Sequence, residues 1–115
     1  MKSKSPLYYW DASLFIDLVQ KVPEHYEVLN HIIGQAKTKE VRIVTSHITL
    51  TEVYKPHSEF EQLLDAHEAL LTDLFENDYI ILRTADRNVC TKAREIRRYH
   101  HLPTADALHV ATALL

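Results

Sequence analysis

Three carboxylates stand where a chain of alternating strands and helices turns into a helix: Asp11 in YYWDASLF, Glu52 in TSHITLTEVY and Asp106 in LPTADALHVATALL. If they met, each pair at about 4 Å would repel by roughly 4 kcal/mol at an effective dielectric of 20. A hard divalent cation removes that repulsion. Mg²⁺ or Mn²⁺ suits an all-oxygen site and keeps waters that can serve as nucleophiles. Each acid also has a plain structural reading. Asp11 can end a strand in an Asx turn. Glu52 completes a Thr-x-x-Glu capping box with Thr49, and Asp106 is a favourable anion at the start of a helix that Thr104 would cap.

The last helix gives Asp106 more weight. From Ala105 to Leu115 the polar residues are Asp106, His109 and Thr112, so this helix is expected to be buried almost all round. A buried carboxylate needs a partner, and His109 lies three residues on along the same face. His109 itself reads better as a satisfied core histidine than as a metal ligand. A transition-metal site on the histidines is disfavoured by their spacing: His100 and His101 are adjacent, and no pair fits H-E-x-x-H or a Cys/His finger.

The elements that must position these acids follow from periodicity. Leu7 to Trp10 reads as a strand ending at Asp11, and Ser13 caps a short helix through Gln20. Pro23 and Glu24 open a second helix with Tyr26, Leu29, Ile32 and Ile33 at helical spacing, and Val41 to Thr45 is the next strand. Ile48 to Tyr54 is helical, Pro56 interrupts it, and Ser58 to Phe75 is a longer amphipathic helix. Tyr79 to Leu82 is a third strand, Asp86 to His100 another helix, and Pro103 precedes the last one. Strands separated by helices imply an α/β fold, a parallel sheet with helices on its faces. Ligands of such sheets sit beyond the carboxyl ends of the strands, where the three acids can converge. No repeat or linker divides residues 1–115, which read as a single domain.

Composition excludes other classes. The single glycine, Gly34, rules out a P-loop and a dinucleotide fingerprint. The single cysteine, Cys90, cannot make an intrachain disulfide, and no apolar run suits a secretion signal or a membrane span, so a reducing cytoplasm is the default. Charge is uneven. Residues 59–78 hold seven acids and no Lys or Arg, whereas residues 83–98 hold six bases against Asp86 and Glu95. Arg87, Arg94 and Arg98, at spacings of seven and four, make a stripe of positive charge that can bind phosphates and also suits a merely solvated face.

YYWDASLFIDLV, TSHITLTEVY and AREIRRYHHLPTADALHVATAL resemble the successive motifs of PIN domains, particularly toxin ribonucleases of the VapC type. The resemblance implies a three-layer α/β/α fold with Asp11, Glu52 and Asp106 as catalytic metal ligands for Mg²⁺ or Mn²⁺, and Ser13 supporting a carboxylate or a metal-bound water. It implies metal-dependent hydrolysis of RNA phosphodiester bonds by a cytoplasmic endoribonuclease. It also implies a homodimer and an antitoxin partner. Such domains usually continue into a further strand that carries a fourth acid and pairs beside the first strand. Against that pattern this chain reads as C-terminally truncated, with one sheet edge open. The alternative reading is a non-catalytic PIN-fold module that binds protein or RNA.

Overall fold

The computed structural model describes residues 5–53 and 64–115. Among them three strands form one parallel sheet in the order β1 (Leu7–Tyr9), β2 (Arg42–Ser46), β3 (Ile80–Arg83). Tyr9 pairs with Val44 and Ser46 with Arg83, and the amide of Trp10 extends the first ladder by donating to the Val44 carbonyl at 3.0 Å. The expected strands are all present, with β2 and β3 each displaced by one residue toward the C-terminus.

Helices cover both faces, as a parallel sheet requires. On one side α1 (Ala12–Val19), α2 (Tyr26–Lys37) and α4 (Asp65–Glu76) bury Phe15, Leu18, Leu29, Ile33 and Leu71 with Trp10, Ile43 and Ile80. On the other, α5 (Arg87–His100) and α6 (Thr104–Leu114) enclose a smaller cluster of Val89, Ala93, Ile96, Ala107 and Ala111. The alanines allow α5 and α6 to approach closely, and α6 also packs on β2. α3 (Thr49–Glu52) is a single turn following β2.

Several boundaries differ from expectation for local reasons. Asp11, not Ser13, is the N-cap of α1: its backbone is extended and its Oδ1 accepts from the Leu14 amide at 3.4 Å. α2 starts at Tyr26, beyond Pro23 and Glu24. The helix expected over Ile48–Tyr54 is restricted to Thr49–Glu52 within the described residues, and Tyr54, Pro56 and the start of the Ser58–Phe75 helix lie outside them. Asp86 caps α5, its Oδ1 accepting from the Val89 amide at 3.0 Å. Thr104 is the first helical residue of α6 and Pro103 its N-cap, with no side-chain capping bond. That helix is not buried all round, since Asp106, Val110 and Ala113–Leu115 are exposed while Ala107, His109, Ala111 and Thr112 are buried. No helix of the described residues is long and apolar enough to cross a membrane.

Candidate active site

The sheet brings the ends of β1 and β2 side by side, and α6 crosses above them. From β1, α6 and α3, the turn of helix that follows β2, a chain of hydrogen bonds is built. The Tyr9 hydroxyl meets His109 Nδ1 at 2.7 Å, and His109 Nε2 meets Glu52 Oε1 at 2.5 Å. A carboxylate can only accept, so Nε2 carries the hydrogen and donates; in the neutral ring Nδ1 then accepts from Tyr9. His109 is 9 % exposed and both ring nitrogens are satisfied, as expected of a core histidine. Burial pushes the Tyr9 phenol up from its usual 10.0, and the nearby Asp11 charge adds to this. The Ser46 backbone and the Thr112 and Thr45 hydroxyls pull the other way. Tyr9 therefore stays protonated at neutral pH and remains a donor.

The capping-box reading of Glu52 is replaced by this contact. Thr49 turns its hydroxyl to Thr45, 2.6 Å away, instead of to an amide of α3. Glu52 is left free to reach α6.

Asp11 is exposed at the end of β1, and Ser13 Oγ donates to its Oδ1 at 2.7 Å. Ser13 thus supports that carboxylate from within α1. Asp11, Ser13, Tyr9 and His109 line one cavity of ≈ 420 Å³ with Leu14 and the outer side of α6. Asp106 is exposed one turn before His109 and is not among the residues lining that cavity. Its expected pairing with His109 is absent because the histidine is engaged by Tyr9 and Glu52, and an exposed carboxylate needs no buried partner.

Glu52 thus bonds His109, Asp11 lines a cavity with it, and Asp106 lies one turn before it on α6, without the three converging. Among the described residues, no three His, Cys, Asp or Glu side chains are grouped so as to hold a metal ion. Glu52 Oε1 is taken by His109, and Asp11 Oδ1 by Ser13 and the Leu14 amide. The donor chemistry is that of a hard cation, but as arranged these residues do not fit one.

A second concavity, of ≈ 840 Å³, opens where β3 passes into α5. Arg83, Arg87 and Lys92 line it, with Thr112 of α6 at its border. Asp86 and Glu95 line it too, yet among the described residues no ion pair joins them to these cations. The expected arginine stripe divides here. Arg87 lies in this cleft, while Arg94 and Arg98 line a neighbouring one of ≈ 540 Å³, Arg98 lying over the Tyr99 ring at 5.6 Å.

A family model described as PIN domain matches residues 8–115. This chain belongs to the PIN domain family. No curated protein and no solved structure matches it. PIN domains are a family of nucleases and typically bind divalent metals. The three-strand parallel sheet with helices on both faces is consistent with the PIN fold. Sequence reasoning missed Tyr9, Arg83 and Lys92 as site residues. The signal for Tyr9 was indirect: His109 and Thr112, polar residues three apart on an apolar helix, required a polar partner on the sheet.

Proposed function

We propose that this PIN domain is an endoribonuclease, the toxin of a toxin–antitoxin pair, which hydrolyses RNA phosphodiester bonds in the cytoplasm in a Mg²⁺- or Mn²⁺-dependent way. Asp11, Glu52 and Asp106 are its functional carboxylates, and Ser13 holds Asp11 by the 2.7 Å bond to its Oδ1. The observation that carries this reading is the bridging of Glu52 on α3 to Tyr9 on β1 through His109 on α6, next to the cavity that Asp11 lines. Three separate stretches of sequence are thereby drawn to the carboxyl end of one sheet.

Substrate phosphates bring negative charge toward acids, so cations must accompany them. Arg83, Arg87 and Lys92 supply these in the β3–α5 cleft, and Arg94 and Arg98 extend the same helix surface toward RNA or the antitoxin. The exposed apolar residues Val110 and Leu114 on α6, Leu115 at its end, and Leu7 and Tyr8 on β1 suit a homodimer or an antitoxin contact.

A non-catalytic module that binds RNA or protein is the second reading, favoured by the lack of a three-donor group among the described residues. Incubation of a labelled single-stranded RNA with the protein in Mn²⁺, beside an EDTA control, separates the two. Cleavage suppressed by EDTA is the expected result. RNA retention without cleavage in Mn²⁺ would establish the module instead.

A further inference from the structure

We infer that His109 holds Glu52 away from the other acids, so that a divalent cation and His109 compete for one carboxylate. This rests on the proposed cation dependence of the same site. The observation behind it is the disagreement between the residues expected to hold a cation and their arrangement. With Glu52 Oε1 on His109 Nε2 at 2.5 Å, no three donors converge among the described residues. Glu52 is nevertheless on a one-turn helix beside the sheet end, with its side chain 32 % exposed. Rotation of that side chain suffices to move its carboxylate, and any such rotation breaks the bond to His109.

His109 cannot follow. Its side chain is 11 % exposed, its Nδ1 is fixed by the Tyr9 hydroxyl at 2.7 Å, and its ring lies edge-on to the Tyr9 ring at 5.8 Å. Tyr9 is anchored in β1 by its pairing with Val44. The donor is therefore rigid and the acceptor movable, which makes Glu52 the partner that changes hands. A hydrogen bond to a charged group contributes enough that removing it should change cation affinity about tenfold or more.

The test uses three proteins: the wild-type chain, His109→Leu, which replaces the donor by an apolar side chain, and Tyr9→Phe, which only loosens the ring. Mn²⁺ affinity is measured by calorimetry after circular dichroism has established that each is folded. His109→Leu should bind about tenfold tighter than wild type, with Tyr9→Phe between them. Unchanged or weaker binding in the folded variants, with wild type still binding, overturns the competition while leaving cation dependence intact. No binding by any of the three overturns both.

A measurement on the wild-type chain needs no variant. The imidazole ¹⁵N signals of His109 are followed while diamagnetic Mg²⁺ is added. Release of Nε2–H from Glu52 should move the Nε2 resonance in step with binding. An Nε2 resonance that stays fixed while Mg²⁺ saturates the protein contradicts the proposal.

Discussion

Two polar regions lie on either side of α6 and are built on opposite terms. In the Tyr9–His109–Glu52 chain each bond is 2.7 Å or shorter, His109 is buried, and Tyr9 and Glu52 are partly so, with Glu52 the more open end. In the β3–α5 cleft Arg87 is exposed, Arg83 and Lys92 are partly so, and none has an ion pair to the acids lining it. Low dielectric and fixed geometry make the first region sensitive to loss of a single atom. Screening and side-chain freedom make the second sensitive to charge alone. The first therefore governs stability and site geometry, and under the proposed function the second serves the long-range attraction of a polyanion.

That contrast breaks most sharply at His109. His109→Leu removes one partner from the Tyr9 hydroxyl, which keeps Ser46, Thr45 and Thr112, and one from Glu52, which water can reach; it should lower stability by about 1–2 kcal/mol, measured by urea unfolding. A loss under about 0.5 kcal/mol would mean that the chain is held together by packing alone.

In the cleft the expectation is reversed. Arg83→Ala, Arg87→Ala and Lys92→Ala combined should weaken RNA binding about tenfold at low salt and reduce the slope of log affinity against log salt by about 2, at about 0.7 per single-strand contact. Unfolding free energy should stay within about 0.5 kcal/mol of wild type for each surface change. An unchanged slope would remove these residues from the RNA path.

The border between the regions is the start of α5, where Asp86 caps the helix and also lines the cleft. Asp86→Ala should cost about 1 kcal/mol of stability through the lost cap. The same change should strengthen RNA binding, because it removes a negative charge beside Arg87. Weaker binding would show instead that the cap positions the cations.

The smallest effect is at alkaline pH. Burial raises the folded-state pKa of Tyr9 above the unfolded value near 10.0, so the native state binds the proton more tightly than the unfolded state does. The resulting stability is fully present below pH 10 and is lost as pH rises through the raised folded-state value. Tyr79 is raised for the same first reason, burial, with Asp73 adding to it, and contributes in the same sense. Tyr9→Phe should therefore flatten part of the fall in melting temperature above about pH 10. An identical alkaline limb in wild type and variant would assign all of it to other groups.

The strands were legible because Leu7–Tyr9, Arg42–Ser46 and Ile80–Arg83 are rich in β-branched, aromatic or other apolar residues between breakers. Asp11 was legible as a residue at a strand end, its capping role less so, because Ser13 is an equally good cap by type. Contacts across the fold were not legible. Glu52 and His109 are 57 positions apart, and a Thr-x-x-Glu pattern gives no sign that Thr45 will take the Thr49 hydroxyl. The apolar composition of α6 suggested burial on every side, yet among the described residues it is the face toward α5 and β2 that is covered, and Asp106 lies off it.

The central claim is that the acids at the carboxyl end of the sheet hydrolyse RNA, and its most direct test compares wild type with Asp11→Asn and Asp106→Asn on one labelled RNA in Mn²⁺. Cleavage by wild type, lost by about 100-fold or more in both variants while their circular dichroism is retained, is the expected result. Equal cleavage by all three proteins, or none by any of them, would contradict it.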